Sequence, residues 1–517
     1  MSNTKTIAKN TGWYSLENTI SLIMTMFTSV AIARTLGPAK MGYVIYVLWI
    51  ASVASSLGGV GIPATMRKYM AEFLGMGDRG TARFVYGRTL LLQMVLASVV
   101  TAGVLLWLLH NAHAEYRSVS VLIALSIWPA MVNSISAQAN IAAEQLSANL
   151  PASFISILCY FFAIVATVWL GWGVVGVGAA MLIMRVSDCA VRLFPTLKRI
   201  HGWEVRHVRP AGLEARMMIF AFQSVTSTIV ALIVWDRSEF FLLKHLCSDI
   251  RQVAFYSVSF NMAERLLLSA SIFGTAIGAT IFAQYGRDKT RVPEITASAF
   301  RYLALSSIPL HVVAASLAAP ALLLLYGSQY KGALAVATLA PLLCMPKAFL
   351  EPARNLLQSS ERQSIVILAT ALAGIVDVAV AWILIPSHGA VGACIGSGAA
   401  QVFAISILWC ADIYLFNVKL PWLLLAKVSL ISVLASAGAY LVGVHLSPVK
   451  AILCGGGTAL VVLVALFYLL RVLEPQDSAR FKALSGMLPG PIAAAVNGVL
   501  CLMVRPTFTA PGATTAV

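Results

Sequence analysis

Four basic side chains sit inside long apolar runs of this chain: Arg185, Arg265, Lys347 and Lys427. A charge held in hydrocarbon costs roughly 2.5 to 3.5 kcal/mol on insertion scales, so each must pair, reach the surface or face a water-filled cavity. A cation facing such a cavity can bind an anion. Arg does so through a planar fork that grips two oxygens at once, whereas Lys acts as a point charge. The neighbouring residues supply the competing reading. Arg185 is followed by Asp188 and Arg192 at spacings that stack all three on one helix face, which also builds an ion-pair ladder. Lys347, Glu351 and Arg354 use the same spacings in reverse, with Pro352 placed to break the helix. Glu264 and Arg265 are adjacent, about 100° apart on a helix, and so are not expected to pair with each other. Lys427 lies near the end of its run, where a long stem can reach the interface. Arg67 and Lys68 close the second run, at a position where topology alone also calls for positive charge.

Carboxylates in the same runs bear on energy coupling, because a proton or sodium ion needs a group that can change state. Glu17, Glu264 and Asp377 are the candidates. Glu17 lies about one turn into the first run, where pairing with a basic residue of another helix is the plainer role. Asp377 stands alone in AGIVDVAVAW, so it is expected to be protonated or paired. Asp236, Arg237 and Glu239 cluster at the outer end of a run, where gating or contact between lobes suits them better than binding. No metal-ligand spacing is present, and neither a metal nor a cofactor is implied. The eight cysteines are scattered singly with no C-x-x-C pair and read as small core residues.

These side chains need helices that cross a membrane. Of 517 residues, 59% are apolar and only 11% charged, against about 25% charged in a soluble domain. Apolar runs of about twenty residues recur along the chain, each able to cross a ~30 Å hydrocarbon core. That excludes soluble enzymes, nucleic-acid binders and secreted disulfide scaffolds, and it gives the net charge of +16 a membrane meaning. About fourteen spans are expected: 13–33, 41–62, 90–109, 119–140, 154–172, 174–193, 217–235, 253–276, 302–324, 333–350, 365–385, 390–409, 422–442 and 452–470. The stretch 492–504 is too short to span and follows two prolines, which fits an interfacial helix. The first apolar stretch is too long for a signal-peptide core, so no targeting segment is expected to be removed. Lys and Arg concentrate in the even-numbered loops and at both ends of the chain, which places both termini in the cytoplasm.

An internal repeat organises the spans. The turn GWGVVGVGAA between spans 5 and 6 matches SHGAVGACIG between spans 11 and 12, one shift carrying Gly173 onto Gly389 and Gly176 onto Gly392. Because six spans per half is an even number, both halves enter from the same side, giving parallel repeats related by an axis along the membrane normal. The expected fold is an all-α integral membrane protein of about fourteen transmembrane helices, as two six-helix lobes around a central cavity plus two extra C-terminal helices. The expected boundaries are 1–200 and 217–413 for the lobes, 201–216 for a cytoplasmic linker, 414–471 for the added helices and 472–517 for a cytoplasmic or interfacial tail. Gly171, Gly173 and Gly176 spell G-x-G-x-x-G, but no β-α-β pattern surrounds them and a dinucleotide site is not implied.

The local sequences ARTLGPAKMGY (33–43), DRSEFFLL (236–243), VAFYS (253–257), LYGSQYKGA (325–333) and ILIPSHGAVGA (383–393), in this order, carry a resemblance over nearly all of the first twelve spans. The chain resembles the Wzx-type polysaccharide flippases of the superfamily that also holds the lipid II flippases and the MATE drug exporters. The resemblance implies a bacterial inner-membrane protein that moves an undecaprenyl-diphosphate-linked oligosaccharide from the cytoplasmic to the periplasmic leaflet. It also implies a cavity whose cations hold the diphosphate, with Arg265, Arg185, Lys347, Arg67, Lys68 and Lys427 as candidates. Ala263-Glu-Arg-Leu266 is similar to an Ala-Asp-Arg-Leu stretch of the lipid II flippases, in which the charged pair faces the cavity. Coupling to H+ or Na+ and work beside a polysaccharide polymerase and co-polymerase are compatible with it. The lipid II flippases carry an Asp just after span 1, where Gly42 lies near here, which weighs against lipid II itself.

Two rival readings follow. A cation-coupled drug exporter of the same fold needs an acidic cavity, and the several basic spans lean away from it. A membrane glycosyltransferase or ligase needs carboxylate or Arg motifs on a sizeable outer loop, or a D-x-D inside, and the sequence has neither.

Overall fold

The computed structural model describes residues 2–143, 145–203, 212–235 and 238–473, without the side chains of 2–23, of 226–235 and of a few single positions. The stretch 492–504 and the tail from 474 therefore lie outside the described residues. Every regular element among the described residues is helical. Eleven helical stretches of the described residues are long and apolar enough to cross a membrane.

The first helix, α1 (Ser2–Gly58), carries two expected spans, bent at Gly37. Gly37 has φ 74°, which a residue without Cβ adopts at no steric cost, and Pro38 lacks the amide that would bond back one turn. The chain then turns through Val60 and Gly61, both at positive φ. A new helix, α2 (Ile62–Gly75), starts with a proline in its first turn, where a missing amide costs nothing. The next, α3 (Arg79–Asn111), is capped by Asp78, whose carboxylate accepts from the Thr81 amide at 3.0 Å.

Three expected spans are interrupted. Span 4 is split at Ser126 into α4 (Arg117–Leu125) and α5 (Ile127–Ala142). Pro129 offers no amide to the Leu125 carbonyl, and the Ser126 hydroxyl folds back onto the Ile123 carbonyl at 2.7 Å. After the hairpin of α6 (Leu150–Leu170) and α7 (Gly173–His201) come α8 (Leu213–Trp235) and the short α9 (Glu239–Leu246). Span 8 is split at Leu267 into α10 (Arg251–Leu266) and α11 (Leu268–Arg287). Following the long α12 (Val292–Tyr326), span 10 runs as α13 (Leu334–Cys344), a 3-10 segment at Met345–Phe349 with Pro346 in its first turn, and α14 (Leu350–Ser359). Pro352 lies inside α14 without ending it, so the break precedes the proline named from sequence. Broken helices are tolerated at membrane depth only where protein or a cavity satisfies the opened backbone.

Two more hairpins close the chain: α15 (Gln363–His388) with α16 (Ala390–Phe416), and α17 (Trp422–Gly443) with α18 (Pro448–Leu469). The repeat glycines occupy matching places in their hairpins. A Cβ on Gly176 would strike Thr167 of the preceding helix, and a Cβ on Gly392 would lie 2.6 Å from the Leu384 backbone. Small residues at these points let antiparallel helices close on each other.

The described residues up to Phe255 form one compact unit and those from Tyr256 on form another. In the first, α5 packs against α2, α3 and α7, while α8 and α9 belong to it through contacts with α1 and α2. In the second, α12 is the centre: α17 and α18 lean on it through Ala435, Ala439 and Ala459 against Val313 and Leu317. Phe300 packs edge-on to Trp409, whose indole donates to the Phe349 carbonyl at 3.1 Å. Trp169, Trp172 and Trp422 remain exposed at helix ends, as an aromatic belt requires.

Candidate functional site

The first unit holds a cavity of about 430 Å³. Two of its walls are the helix breaks: Gly59 and Gly61 from the turn after α1, and Ser126 from the split between α4 and α5. Gly61, at φ 66°, lies where a Cβ would collide with the Ala221 carbonyl of α8, so only glycine allows this close a turn. From α1 come Ser52, Ser55 and Ser56, whose i, i+3, i+4 spacing puts three hydroxyls on one face. α5 contributes Ala130, Ser134 and Gln138 at intervals of one turn, and α3 contributes Gln93.

Two cations line this cavity, Arg67 from α2 and Arg185 from α7. No carboxylate is among the described lining residues. The ladder read from sequence forms only in part, and the missing rung explains the site. Asp188 binds Arg192 at 2.9 Å and accepts from the Asn133 amide at 2.6 Å. Arg192 also donates to the Ser153 hydroxyl at 3.0 Å. Asp188 is thus held one turn beyond Arg185, and Arg185 makes no ion pair with a described residue. Its guanidinium is left to the cavity.

Lys68 takes another direction from Arg67. Its ammonium lies 4.0 Å from the ring centre of Phe220 in α8 and 5.2 Å from that of Tyr69. One turn on, Arg216 meets Glu72 at 3.1 Å, so α2 and α8 are tied by a cation over an aromatic ring and by an ion pair.

The other described side chains named from sequence are not among those lining this cavity. In the second unit Lys347 and Glu264 stand 3.6 Å apart, an exchange of partners, since Glu264 shares α10 with Arg265 and meets a residue of the 3-10 segment instead. Arg265 is exposed. Glu351 pairs with Arg354 at 2.7 Å within α14. Lys427 donates to the Leu470 carbonyl at 3.4 Å, at the end of α18 where backbone carbonyls lack helical partners. Asp377 is 3% exposed in α15, and Glu239 is buried at the start of α9. Glu17 lies in α1 with its side chain outside the described residues, and Asp236 and Arg237 are outside them altogether. No group of His, Cys, Asp and Glu that could hold a metal occurs among the described residues.

Sequence reasoning missed several polar groups. The serine row on α1 was visible as an i, i+3, i+4 pattern, and Gln93 as the one amide in the apolar run of α3. Asp412 was also missed. It is fully buried in α16, and neither carboxylate oxygen bonds to a described group. It continues the buried stripe of Ala404 and Leu408 by one more turn, which is the signal that could have found it.

Comparison with known proteins agrees with this architecture. The family model described as "Polysaccharide biosynthesis protein" matches residues 7–283. A comparison with curated protein sequences finds no match. Among solved structures, the chain is similar to the lipid II flippase MurJ in an inward closed conformation, with a TM-score of 0.70 and 13% identity over 88% of this chain and 98% of that one. It is also similar to an inward-facing multidrug resistance MATE family transporter of the MOP superfamily, with a TM-score of 0.62 and 16% identity over 77% and 95%. At these identities the likeness establishes the fold, that of a multi-pass membrane protein whose neighbours are transporters and a flippase.

Proposed function

The chain belongs to the polysaccharide biosynthesis protein family, and from that premise we propose that it is a flippase for an undecaprenyl-diphosphate-linked oligosaccharide. It carries this lipid from the cytoplasmic to the periplasmic leaflet of a bacterial inner membrane by alternating access, with both termini in the cytoplasm. The observation that carries the reading is the presence of Arg67 and Arg185 together on a cavity with no carboxylate among its described lining residues. A diphosphate bears about two negative charges, whose transfer into hydrocarbon is prohibitive unless fixed cations replace water. Two arginines match that charge, and each fork can hold two phosphate oxygens. The volume suits a headgroup rather than a polyprenyl chain, since small-molecule sites run from about 300 to 1,000 Å³. The tail stays in the bilayer, where it needs no site of its own.

The drug-exporter reading fits less well, because an organic cation entering this cavity meets two arginines and no acid among the described lining residues. Coupling to H+ or Na+ falls to a carboxylate, with buried Asp377 the foremost candidate and Glu17 and Glu264 the others. A polymerase and co-polymerase are the natural partners, as they consume what the flippase delivers.

The test is leaflet-resolved transport in proteoliposomes. A fluorescent undecaprenyl-diphosphate oligosaccharide should exchange between leaflets only when the protein is present. Absence of that movement, together with efflux of organic cations, overturns the flippase reading in favour of the drug exporter.

A further inference from the structure

The cavity walls differ in hydrogen-bonding sense. Arg67 and Arg185 can only donate. Elsewhere on the wall three hydroxyl protons are already committed to backbone: Ser55 to the Ala51 carbonyl at 2.7 Å, Ser126 to Ile123 at 2.7 Å and Ser134 to Met131 at 2.6 Å. Those oxygens are therefore left to act as acceptors. The carbonyl oxygen of Gln138 bonds to no described group. Gln93, 1% exposed, has neither end of its amide bonded to a described group, so it can both give and take a hydrogen bond.

A phosphate at neutral pH offers acceptors almost exclusively and is repelled by oxygens of this kind. A ligand that satisfies this wall must bring donors. Sugar hydroxyls and the N–H of an acetamido group are such donors, and an acetamido group also has the carbonyl that the Gln93 amide can bond. Buried polar groups without partners are rare in folded proteins, and they persist where something outside the chain bonds them. Resting on the flippase reading above, we propose that Gln93, Gln138, Ser126 and Ser134 form a neutral subsite for the sugar joined to the diphosphate, preferring one with an N-acetyl group. The two arginines hold the phosphates, and the amide and hydroxyl wall reads the first sugar. Aromatic rings are absent from the described lining residues, so recognition there rests on hydrogen bonds rather than stacking.

The two halves of the site separate in one binding experiment on the full chain in nanodiscs. The probes are undecaprenyl diphosphate, bare and carrying a single N-acetylhexosamine or a single plain hexose. The wild type should bind the N-acetylhexosamine lipid about tenfold tighter than the bare one, with the hexose between, because a site built for hydrogen bonds penalises the ligand that lacks them. Gln93→Leu should bring that ratio to within about twofold of one while leaving the bare lipid unaffected. Ser134→Ala should lower it less. Arg185→Met should weaken all three lipids in parallel. The melting temperature of Gln93→Leu should match or exceed that of the wild type, since no bond within the protein is lost. A Gln93→Leu ratio equal to that of the wild type, a parallel loss of all three lipids, or a lowered melting temperature overturns the sugar subsite. If Arg185→Met and Arg67→Met leave the bare lipid untouched, the diphosphate reading fails, and the subsite falls with it.

Discussion

Arg185 and Lys347 were equivalent in the sequence: each is a cation in an apolar run with an acid three or four residues away. In the first unit the acid is taken by another arginine, since Asp188 binds Arg192 at 2.9 Å and Asn133 at 2.6 Å, and Arg185 faces a cavity lined by hydroxyls and amides. In the second unit Lys347 meets Glu264 at 3.6 Å and Arg354 meets Glu351 at 2.7 Å. The second unit also buries carboxylates within its helices, with Asp377 3% exposed and Asp412 fully buried. One unit places two arginines on a cavity, while the other holds Lys347 and Arg354 in ion pairs and carboxylates in its interior. Where a cation sits matters less than which acid reaches it first.

Substitutions can break this contrast, and the largest effect is expected within the ladder. Arg192→Met takes the ion pair from Asp188 and leaves its carboxylate hydrogen-bonded to Asn133, which should cost about 3 kcal/mol of stability, read as a lowered melting temperature or a shifted denaturation midpoint. Arg185→Met should leave stability nearly unchanged but lose charge-assisted hydrogen bonds to the ligand, about 1.5 to 3 kcal/mol, or roughly 10- to 100-fold in affinity for undecaprenyl diphosphate. Equal destabilisation by the two would show that both arginines are structural and would erase the distinction. A smaller effect is expected for Lys347→Met. Its pair with Glu264 is about a third exposed on both sides, so solvent screening limits the loss to under about 1 kcal/mol. Binding of the lipid should change less than about threefold. Smallest of all is Lys427→Gln, which removes one long, exposed bond to the Leu470 carbonyl and should stay within about 0.5 kcal/mol by thermal unfolding.

Much of the fold was legible because hydrophobic runs of membrane length and repeated glycines need no tertiary information. Gly176 and Gly392 sit where the repeat put them, each allowing a hairpin to close. The breaks were harder. Pro129 and Pro346 mark two of them, but a proline tells only which backbone bond is lost, and Pro352 is tolerated in the first turn of α14. The site was legible in part: Arg67 and Arg185 meet at one cavity as the sequence allowed, whereas Lys68 turns to the Phe220 ring. What separates Arg185 from Arg192 is invisible in the spacing, because each stands one turn from Asp188. Asn133 and Ser153, both from other helices, decide the outcome. Neutral groups such as Gln93 and the α1 serines carry no cost in hydrocarbon large enough to single them out, and only packing brings them to one cavity.

The most direct measurement compares Arg185→Met with Lys347→Met in leaflet-resolved flipping of an undecaprenyl-diphosphate oligosaccharide, at matched protein content and melting temperature. Arg185→Met should be slowed at least about tenfold and Lys347→Met less than about threefold. Equal rates for the two variants, or a slower Lys347→Met, would contradict the assignment of the first unit's cavity as the place where the diphosphate is held.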